Sequence, residues 1–421
     1  MSELSVRQIR RRFLILHGLR WLPTGLLMPV VILLMQERGL TLTQIGLAAA
    51  AQGVVVLALE LPTGGFADAL GRRPVLVAAS VVGLVSMGLL VLADSFVLLT
   101  AVWALQGVFR ALDSGPLESW YVDSTLAVDP DAAYEKGLGQ GGTVLGLSIA
   151  AGALLSGGLV ALGPLGPVSA LTTPVLAAVG LQGVSLLALL TLLVERRPAR
   201  GPGALWASVR AAPRMVGEAF GLLRRSRVLL ALVAVELFWG FGMVTFESLL
   251  PIRLAEVTGA ADRAAALLGP ASTIAWLASA AGWLGAAPGA ALLRIVQGGT
   301  VVGMALLAGP VGVLIAFFVC YAVHGASNPL HMGLLHRQVD GPYRTSVISV
   351  NSMVAMPAGA LGGVLLGFIG DRAGVSTAML VGAVALAVAA PLYLPAWRAG
   401  RRSASADNQP KRTEVSENVS V

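Results

Sequence analysis

Charged residues are scarce in this chain of 421 residues, where Asp, Glu, Lys and Arg together make up only 12%. Hydrophobic residues make up 56%, and apolar runs of twenty or more residues recur from end to end. Such runs have no polar face to present to water, so they exclude an ordinary soluble domain. The composition indicates a helical protein that crosses a membrane many times.

Cysteine and aromatic residues are also scarce. The only cysteine, Cys320, lies in an apolar run, which excludes a disulfide and a cysteine-based metal site. Glycine is abundant, with 51 residues, and glycine-rich helices approach each other closely in lipid. The sequence contains no metal-ligand cluster, phosphate-binding loop or nucleophile–base pair, so we expect no enzyme activity, catalytic residues, metal or cofactor.

Twelve apolar segments are long enough to cross a membrane as helices. We therefore predict an all-α membrane protein with twelve transmembrane helices in two pseudo-symmetric six-helix bundles. The predicted parts are an N-terminal bundle at 1–194, a central loop at 195–227 with eight arginines, a C-terminal bundle at 228–397 and a disordered tail at 398–421. The predicted spans are 13–36, 42–66, 74–93, 96–119, 138–162, 168–194, 228–250, 264–285, 288–308, 310–335, 344–369 and 375–397.

Basic residues lie mainly on one side of the predicted membrane. With the N-terminus in the cytoplasm, the inner segments hold about 23 of the 29 Lys and Arg residues. The positive-inside rule then places both termini on the cytoplasmic side of a cell inner or plasma membrane. The net charge of +7 follows from this topology, and we expect no nucleic-acid partner.

The two halves contain weak internal repeats. The motif SGPLE at 114–118 matches SNPLH at 327–331, and GGFADALG at 64–71 matches GWLGAAPG at 282–289. The offsets are similar, and each match falls in the corresponding span of the other half. Paired repeats with a polar site between them are typical of transporters.

The segment that follows span 2 carries the strongest motif. Gly64, Asp68, Gly71, Arg72 and Arg73 form the pattern G-x-x-x-D-x-x-G-R-R, which resembles the signature between spans 2 and 3 of the major facilitator superfamily. The resemblance covers essentially the whole chain, since the 6+6 spans and the basic central loop also match. It implies two six-helix halves around a central cavity, lined by spans 1, 4, 7 and 10, that work by alternating access.

The resemblance also implies a gate at this motif. Asp68 would meet the positive N-terminal end of span 11 on the inner side. A similar segment, GFIGDRAG at 367–374, follows span 11 on the predicted outer side. We hypothesise that its Asp371 contacts the start of span 2, near Thr41 and Thr43, as a mirror latch. The alternatives are that the first motif only sets topology and that the second is a surface turn.

Ionisable residues placed deep in the predicted spans concentrate in spans 1, 4, 7 and 10, and Glu60 in span 2 is the exception. A charge at the bilayer centre costs about 2.5–3.5 kcal/mol on insertion scales, so such residues usually face water or a partner. We place Glu247 at the outer mouth. The full set is His17, Arg20, Glu60, Arg110, Asp113, Glu118, Glu236, Glu247, His324 and His331.

Several of these groups fall at a similar depth, so we expect ion pairs among them. Arg110 and Asp113 are one helical turn apart in span 4, and Arg20 is predicted to meet Glu60 between spans 1 and 2. The two arginines leave two negative charges to be balanced by protons, a cation or histidines. The four acids in this count are Glu60, Asp113, Glu118 and Glu236.

Acids buried in a membrane protein can take up and release protons near neutral pH. We therefore predict that Glu60, Asp113 or Glu236 is a proton-coupling site; the alternative is that these acids only neutralise arginines. Aromatic and polar side chains of the four cavity-lining spans are predicted to bind the substrate, and ordinary helix packing is the alternative for any one of them. The predicted cavity residues are Arg20, Trp21, Arg110, Glu118, Phe238, Trp239 and His331.

These observations predict a secondary active transporter that exports a small lipophilic or cationic drug-like compound or metabolite in exchange for protons. The alternative is a proton symporter or facilitator that imports a small solute. The expected partners are the substrate, protons and the lipid bilayer, and the expected oligomeric state is a monomer. Two departures from the family's antiporter patterns weaken an assignment to antiport without excluding it: Trp103 stands where the span-4 motif has arginine, and span 5 has Ala153 and Leu154 in place of Gly-Pro.

Overall fold

The structure is a computed structural model that describes residues 4–195, 210, 217, 221, 224, 226–279, 287–338 and 344–407. These residues are almost entirely helical. Eleven helical segments are long and apolar enough to cross a membrane, and a further helix, Ala261–Ser279, lies between the seventh and the eighth of these. The predicted fold class, a multi-pass all-α membrane protein, is confirmed.

Each predicted span corresponds to a helix or a group of consecutive helices. In chain order these are Val6–Leu27 with Val31–Glu37 (span 1), Leu42–Leu70 (span 2), Arg72–Leu92 (span 3), Phe96–Asp113 with Pro116–Leu126 (span 4), Glu135–Ala161 (span 5), Thr173–Leu192 (span 6), Arg227–Val244 with the π-helical turn Thr245–Leu249 and Leu250–Thr258 (span 7), Ala261–Ser279 (span 8), Ala287–Leu306 (span 9), Pro310–His336 (span 10), Arg344–Ala373 (span 11), and Val375–Val388 with the 3₁₀ turn Ala390–Tyr393 and Leu394–Asp407 (span 12).

Two spans begin with the same side-chain device. Ser5 accepts a hydrogen bond from the backbone N–H of Gln8 and donates its own N–H to the Gln8 side chain, at 3.3 and 2.9 Å. Thr41 and Gln44 repeat this arrangement at the start of span 2. Such capping boxes satisfy backbone donors that have no partner inside the helix, and so define where the helix begins.

Three of the four spans predicted to line the cavity are irregular in their middle. Span 1 is interrupted at residues 28–30, and span 7 contains a full π-helical turn at Thr245–Leu249. Span 4 breaks at Ser114 and Gly115, where Gly115 has φ = 92° and Pro116 opens the next helix. Irregular backbone at membrane depth is tolerated only where protein or a water-filled cavity satisfies the freed groups, and π-helical turns occur frequently at functional sites.

Glycines bring the two halves into backbone contact. Span 2 packs against span 11, where a Cβ on Gly46 would collide with the backbone carbonyl of Gly363. Span 5 packs against span 8 in the same way, with Gly157 against Gly269. We call the end of the molecule that carries Ser5 and the Arg72 turn the terminal face, and the opposite end the distal face. Both glycine contacts lie in the distal half of the spans.

The outward-facing side chains are large and apolar. Leu92, Val97 and Leu162 are 76%, 73% and 77% exposed, respectively. A continuous surface of this kind is a liability in water but matches the acyl chains of a bilayer. The surface therefore agrees with a protein embedded in lipid.

Two predicted segments differ from the structure or lie outside it. Most of the predicted central loop at 195–227 lies outside the described residues. The last helix continues to Asp407, past residue 398, where the sequence predicted the tail to begin. Trp397 there lies under Arg401, with the guanidinium carbon 5.4 Å from the ring centroid, and this contact one turn along favours a continued helix.

Candidate transport site

An arginine–carboxylate network occupies the core of the N-terminal half. Arg20 Nε pairs with the Asp113 carboxylate, and Arg20 Nη2 donates to the Asp113 backbone carbonyl at 2.9 Å. That carbonyl is available because span 4 breaks directly after Asp113. Arg20 Nη1 also lies 3.4 Å from Glu118, and His17 Nδ1 lies 3.5 Å from the same carboxylate oxygen.

This geometry changes the predicted pairing. Asp113 pairs with Arg20 across spans 1 and 4, so the expected bond with Arg110 one turn earlier is wrong. Asp113 is the last residue of its helix, and its carbonyl accepts from Arg20 of span 1, a contact that a count of residues along a regular helix does not predict. The predicted Arg20–Glu60 contact cannot be placed, because the Glu60 side chain lies outside the described residues.

Arg110 instead interacts electrostatically with a carboxylate of the other half. Its side chain is exposed, and its charge acts on the carboxylate of Glu247 in the π-helical turn of span 7. Counted along each span, Arg110 lies about 21 Å and Glu247 about 17 Å from the distal ends of their helices. Glu247 is thus at mid-depth, and its predicted position at the outer mouth is wrong. The helix of span 7 continues to Thr258, eight residues beyond the predicted end at 250, and this extension places Glu247 deeper than the sequence predicted.

A second polar network holds the C-terminal half together. Glu236 Oε1 lies 3.2 Å from His331 Nε2. His331 Nδ1 lies 3.0 Å from the Tyr393 hydroxyl, and its Nε2 lies 3.3 Å from Asn351 Oδ1. These buried side chains come from spans 7, 10, 11 and 12, so the network connects four helices at one point.

Arg294 in span 9 is a buried charge that the sequence analysis missed. It is only 2% exposed, its Nη1 donates to Gln297 at 2.9 Å, and its charge acts on Glu236. The sequence does contain a signal for this buried charge, an arginine inside the apolar run of span 9. The count of basic residues on each side of the membrane assigns it to the inner side. With Arg294 and the mid-depth Glu247 included, three arginines face five acids, and the deficit of two positive charges is unchanged.

Trp21 in span 1 and Trp239 in span 7 each lie beside an arginine. The Arg20 guanidinium carbon is 5.4 Å from the Trp21 ring centroid, and that of Arg294 is 5.8 Å from Trp239. These two indole rings, which belong to the predicted cavity residues, therefore interact with cations of the protein itself. Phe238 packs with the hydrophobic core of the C-terminal half.

The end of the motif that follows span 2 forms hydrogen bonds and an ion pair within the N-terminal half. The carboxylate of Glu195, at the end of span 6, accepts the backbone N–H groups of Arg72 and Arg73 at 2.7 and 3.0 Å. Arg72 also pairs with Asp123 of span 4 at 2.5 Å. Gly71 precedes them with φ = 93°, a conformation that favours glycine. Glu195 therefore caps span 3, a role that the sequence did not predict.

The remaining motif residues are only partly placed. Gly64 and Asp68 fall within the helix Leu42–Leu70, but the Asp68 side chain and the surroundings of Gly64 lie outside what the structure describes. The same holds for the side chains at the start of span 11. The predicted contact between Asp68 and span 11 therefore stays a prediction.

Asp371 joins the two halves at the distal face. Its carboxylate accepts the backbone N–H groups of Leu42 and Thr43 at 2.8 and 2.9 Å, and the Thr43 hydroxyl at 2.5 Å. Close by, a Cβ on Gly367 would meet the Leu42 carbonyl. The expected contact between Asp371 and the start of span 2 is present, and its role as a gate stays a prediction.

Comparison with known proteins places this architecture. A search of curated protein sequences finds no significant match. Solved structures with the same fold include the nucleoside transporter NupG (TM-score 0.74, 13% identity, 93% of this chain and 99% of that one). Others are a bacterial homologue of the human lysosomal transporter Spinster in an inward-facing, unoccupied conformation (0.75, 15%, 96% and 99%) and a POT family transporter in complex with 5-aminolevulinic acid (0.69, 13%, 93% and 96%).

These likenesses show the fold alone, because every identity is low. A family model for the Major Facilitator Superfamily matches residues 13–354, which is most of the chain. The chain therefore belongs to the major facilitator superfamily and is a membrane transporter of this type.

Proposed function

We propose that this protein is a proton-coupled secondary transporter that moves a small solute by alternating access. The observation that carries the proposal is that each half buries one carboxylate in a cavity-lining span and holds it with a basic side chain. In the N-terminal half this is Asp113 with Arg20, and in the C-terminal half it is Glu236 with His331.

Both carboxylates are suited to compete for protons. When Asp113 is ionised, its charge is balanced by Arg20; when it takes up a proton, Arg20 is free to turn to Glu118, which already lies 3.4 Å away. Protonation thereby moves the contact of span 1 from the first helix of span 4 to the second. A membrane potential of about 100 mV contributes about 2.3 kcal/mol per charge moved, which is sufficient to drive accumulation. Glu60 stays a third candidate.

Proton-coupled export of a small lipophilic or cationic compound is our first assignment. The carboxylate of Glu247 supports it, since this side chain is exposed at mid-depth and its charge acts on an aromatic group of span 10, Tyr321. Import of a small solute is the second candidate, and the exposed guanidinium of Arg110 supports it for solutes with an anionic group. Trp21, Glu118, Phe238, Trp239 and His331 stay proposed cavity residues.

The contacts between the halves support a gate at the distal face. Asp371 and the Gly46–Gly363 contact join spans 2 and 11 at this face, and the Gly157–Gly269 contact joins spans 5 and 8. Asp68 and the Arg72 turn would close the terminal face in the opposite state. The terminal face is taken as cytoplasmic, with both termini on that side, and the protein as a monomer in the cell inner or plasma membrane.

Proton flux in proteoliposomes tests this function. The purified protein is reconstituted with a pH-sensitive dye inside, and panels of lipophilic cations and small organic anions are added under a pH gradient. We expect proton movement with one panel only. The direction in which the protons move relative to the added compound then distinguishes exchange from co-transport. Asp113→Asn and Glu236→Gln should abolish net proton movement while substrate exchange at equilibrium continues.

Either of two results contradicts the proposal. Unchanged proton-driven transport in the double variant would exclude both carboxylates as coupling sites. Transport without proton movement in the wild-type protein would exclude proton coupling altogether. A screen of toxic compounds in cells with and without the protein then narrows the substrate class.

A further inference from the structure

The C-terminal half contains a cluster of buried nitrogen atoms that lack hydrogen-bond partners. They are Nε of Arg294, Nε2 of Gln297, Nε1 of Trp239 and Nδ1 of His324, none of which has a partner among the described residues. Arg294 is 2% exposed and Gln297 is fully buried. The cluster is therefore not an open surface where bulk water satisfies each group.

Direct contacts connect the four side chains. Arg294 Nη1 donates to Gln297 Oε1 at 2.9 Å, and the guanidinium carbon lies 5.8 Å from the Trp239 ring centroid. Trp239 in turn stacks on His324, with the rings 5.4 Å apart and nearly parallel at 9°. Spans 7, 9 and 10 thus converge on one point.

The chemistry of the cluster is one-sided. The Nε of arginine, the side-chain NH₂ of glutamine and the indole N–H of tryptophan only donate hydrogen bonds. The one strong acceptor, Gln297 Oε1, already accepts from Arg294. Unsatisfied buried donors are costly, and the cost is greater beside a charge. A negatively charged acceptor satisfies several of them at once.

The protein's own acid does not fill this role. Glu236 acts electrostatically on Arg294, but its Oε1 lies 3.2 Å from His331 Nε2, and Arg294 Nε stays without a partner. The other titratable groups on which the Arg294 charge acts are His324, His331, Cys320 and Tyr393, and the Tyr393 hydroxyl also hydrogen-bonds to the Arg294 guanidinium. These groups leave a positively charged, donor-rich position.

We propose that Arg294, Gln297 and Trp239 form an anion-binding subsite between spans 7, 9 and 10. Its ligand is a small inorganic anion such as chloride or the carboxylate of a small solute. Trp239 and His324 are half-buried and form the wall between the subsite and the cavity-lining surface of spans 7 and 10. The subsite does not depend on the proposed proton coupling.

Thermal unfolding of the purified full-length protein in detergent tests the subsite. The sodium salt of a bulky sulfonate buffer is replaced stepwise by sodium chloride or sodium acetate at constant ionic strength. A ligand that binds only the folded state raises Tm with its concentration. We expect Tm to rise in the wild-type protein, with chloride alone for an inorganic-anion site and with acetate as well for a carboxylate site.

Variants locate the effect. Arg294→Gln should abolish the rise in Tm. Trp239→Phe keeps an aromatic ring but removes the indole N–H, and it should require about tenfold more anion for the same rise in Tm. Gln297→Leu replaces the Trp239 variant if that one unfolds, and either of them carries the test if Arg294→Gln does not fold. Arg263→Gln removes an exposed arginine at the start of span 8, which has no role in the subsite, and should respond like the wild-type protein.

Two outcomes overturn the proposal: neither anion raises Tm above the sulfonate background, or the variants at Arg294, Trp239 and Gln297 respond like the wild-type protein. Proton-coupled transport that persists with either outcome would leave the proposed function intact.

Discussion

The Arg20 side chain binds both the side chain and the main-chain carbonyl of Asp113. The carbonyl is available because span 4 breaks directly after Asp113. The guanidinium pairs with the carboxylate and donates to the carbonyl freed by the break at Ser114 and Gly115. One arginine thereby stabilises an ionised acid and an interrupted helix. The pair is the buried centre of the N-terminal half.

Breaking this pair should destabilise the protein more than removing it. Arg20→Gln leaves Asp113 as an uncompensated buried charge, and losing one partner of a buried pair costs about 3–5 kcal/mol. The double variant Arg20→Gln/Asp113→Asn should recover part of this loss. Thermal unfolding in detergent measures the difference. Losses that simply add up in the double variant would show that the two side chains do not interact.

Asp371→Asn should weaken closure of the distal face. The carboxylate accepts two backbone N–H groups and a hydroxyl at the start of span 2, and such charge-assisted bonds are about twice as strong as neutral ones. In a Cys320→Ser background, a cysteine at Ala360, which faces Gly53 across the halves, should react with a thiol reagent about tenfold faster.

Asp262→Asn is the matched control for this experiment. Asp262 is an exposed acid at the first turn of span 8, on the same face, and its removal should leave the labelling rate unchanged. If the rate in the Asp371 variant equals that in the control, the Asp371 contact does not hold the face closed.

Two neighbouring glycines in span 5 should respond differently to the same change. A Cβ on Gly157 would press against the backbone of span 8 at Gly269, whereas a Cβ on Gly158 points into open space. Overpacking costs about 1–3 kcal/mol, so Gly157→Ala should disfavour the distal-closed state and reduce transport. Gly158→Ala should transport like the wild-type protein. Equal transport in both variants would argue against a close helix contact at this position.

Charge removal at mid-depth should distinguish the two substrate assignments. If the solute is cationic, Glu247→Gln should raise the KM for its transport about tenfold, and Arg110→Gln should not raise this KM. If the solute carries an anionic group, the two effects should exchange. Transport of the substrate found in the proteoliposome screen gives the answer. Equal KM values in both variants would place the substrate away from these two residues.

Hydropathy alone predicted the membrane class and the approximate position of all twelve spans. A stretch of about twenty apolar residues has few stable alternatives to a membrane-spanning helix, since lipid offers no partners for an unpaired backbone. The contact of Asp371 with the start of span 2 was also expected, because its motif repeats the spacing of the first. These features depend on residues that are close together in sequence or related by duplication.

The partners of the buried charges were decided by the tertiary structure. Asp113 pairs with Arg20 of span 1 rather than with Arg110 of its own helix, and Glu247 lies at mid-depth because the helix of span 7 continues to Thr258. Arg294 lies among side chains of spans 7, 10 and 12. Electrostatic partners are set by three-dimensional distance, and a one-dimensional pattern records depth along a helix but not the direction in which each helix faces.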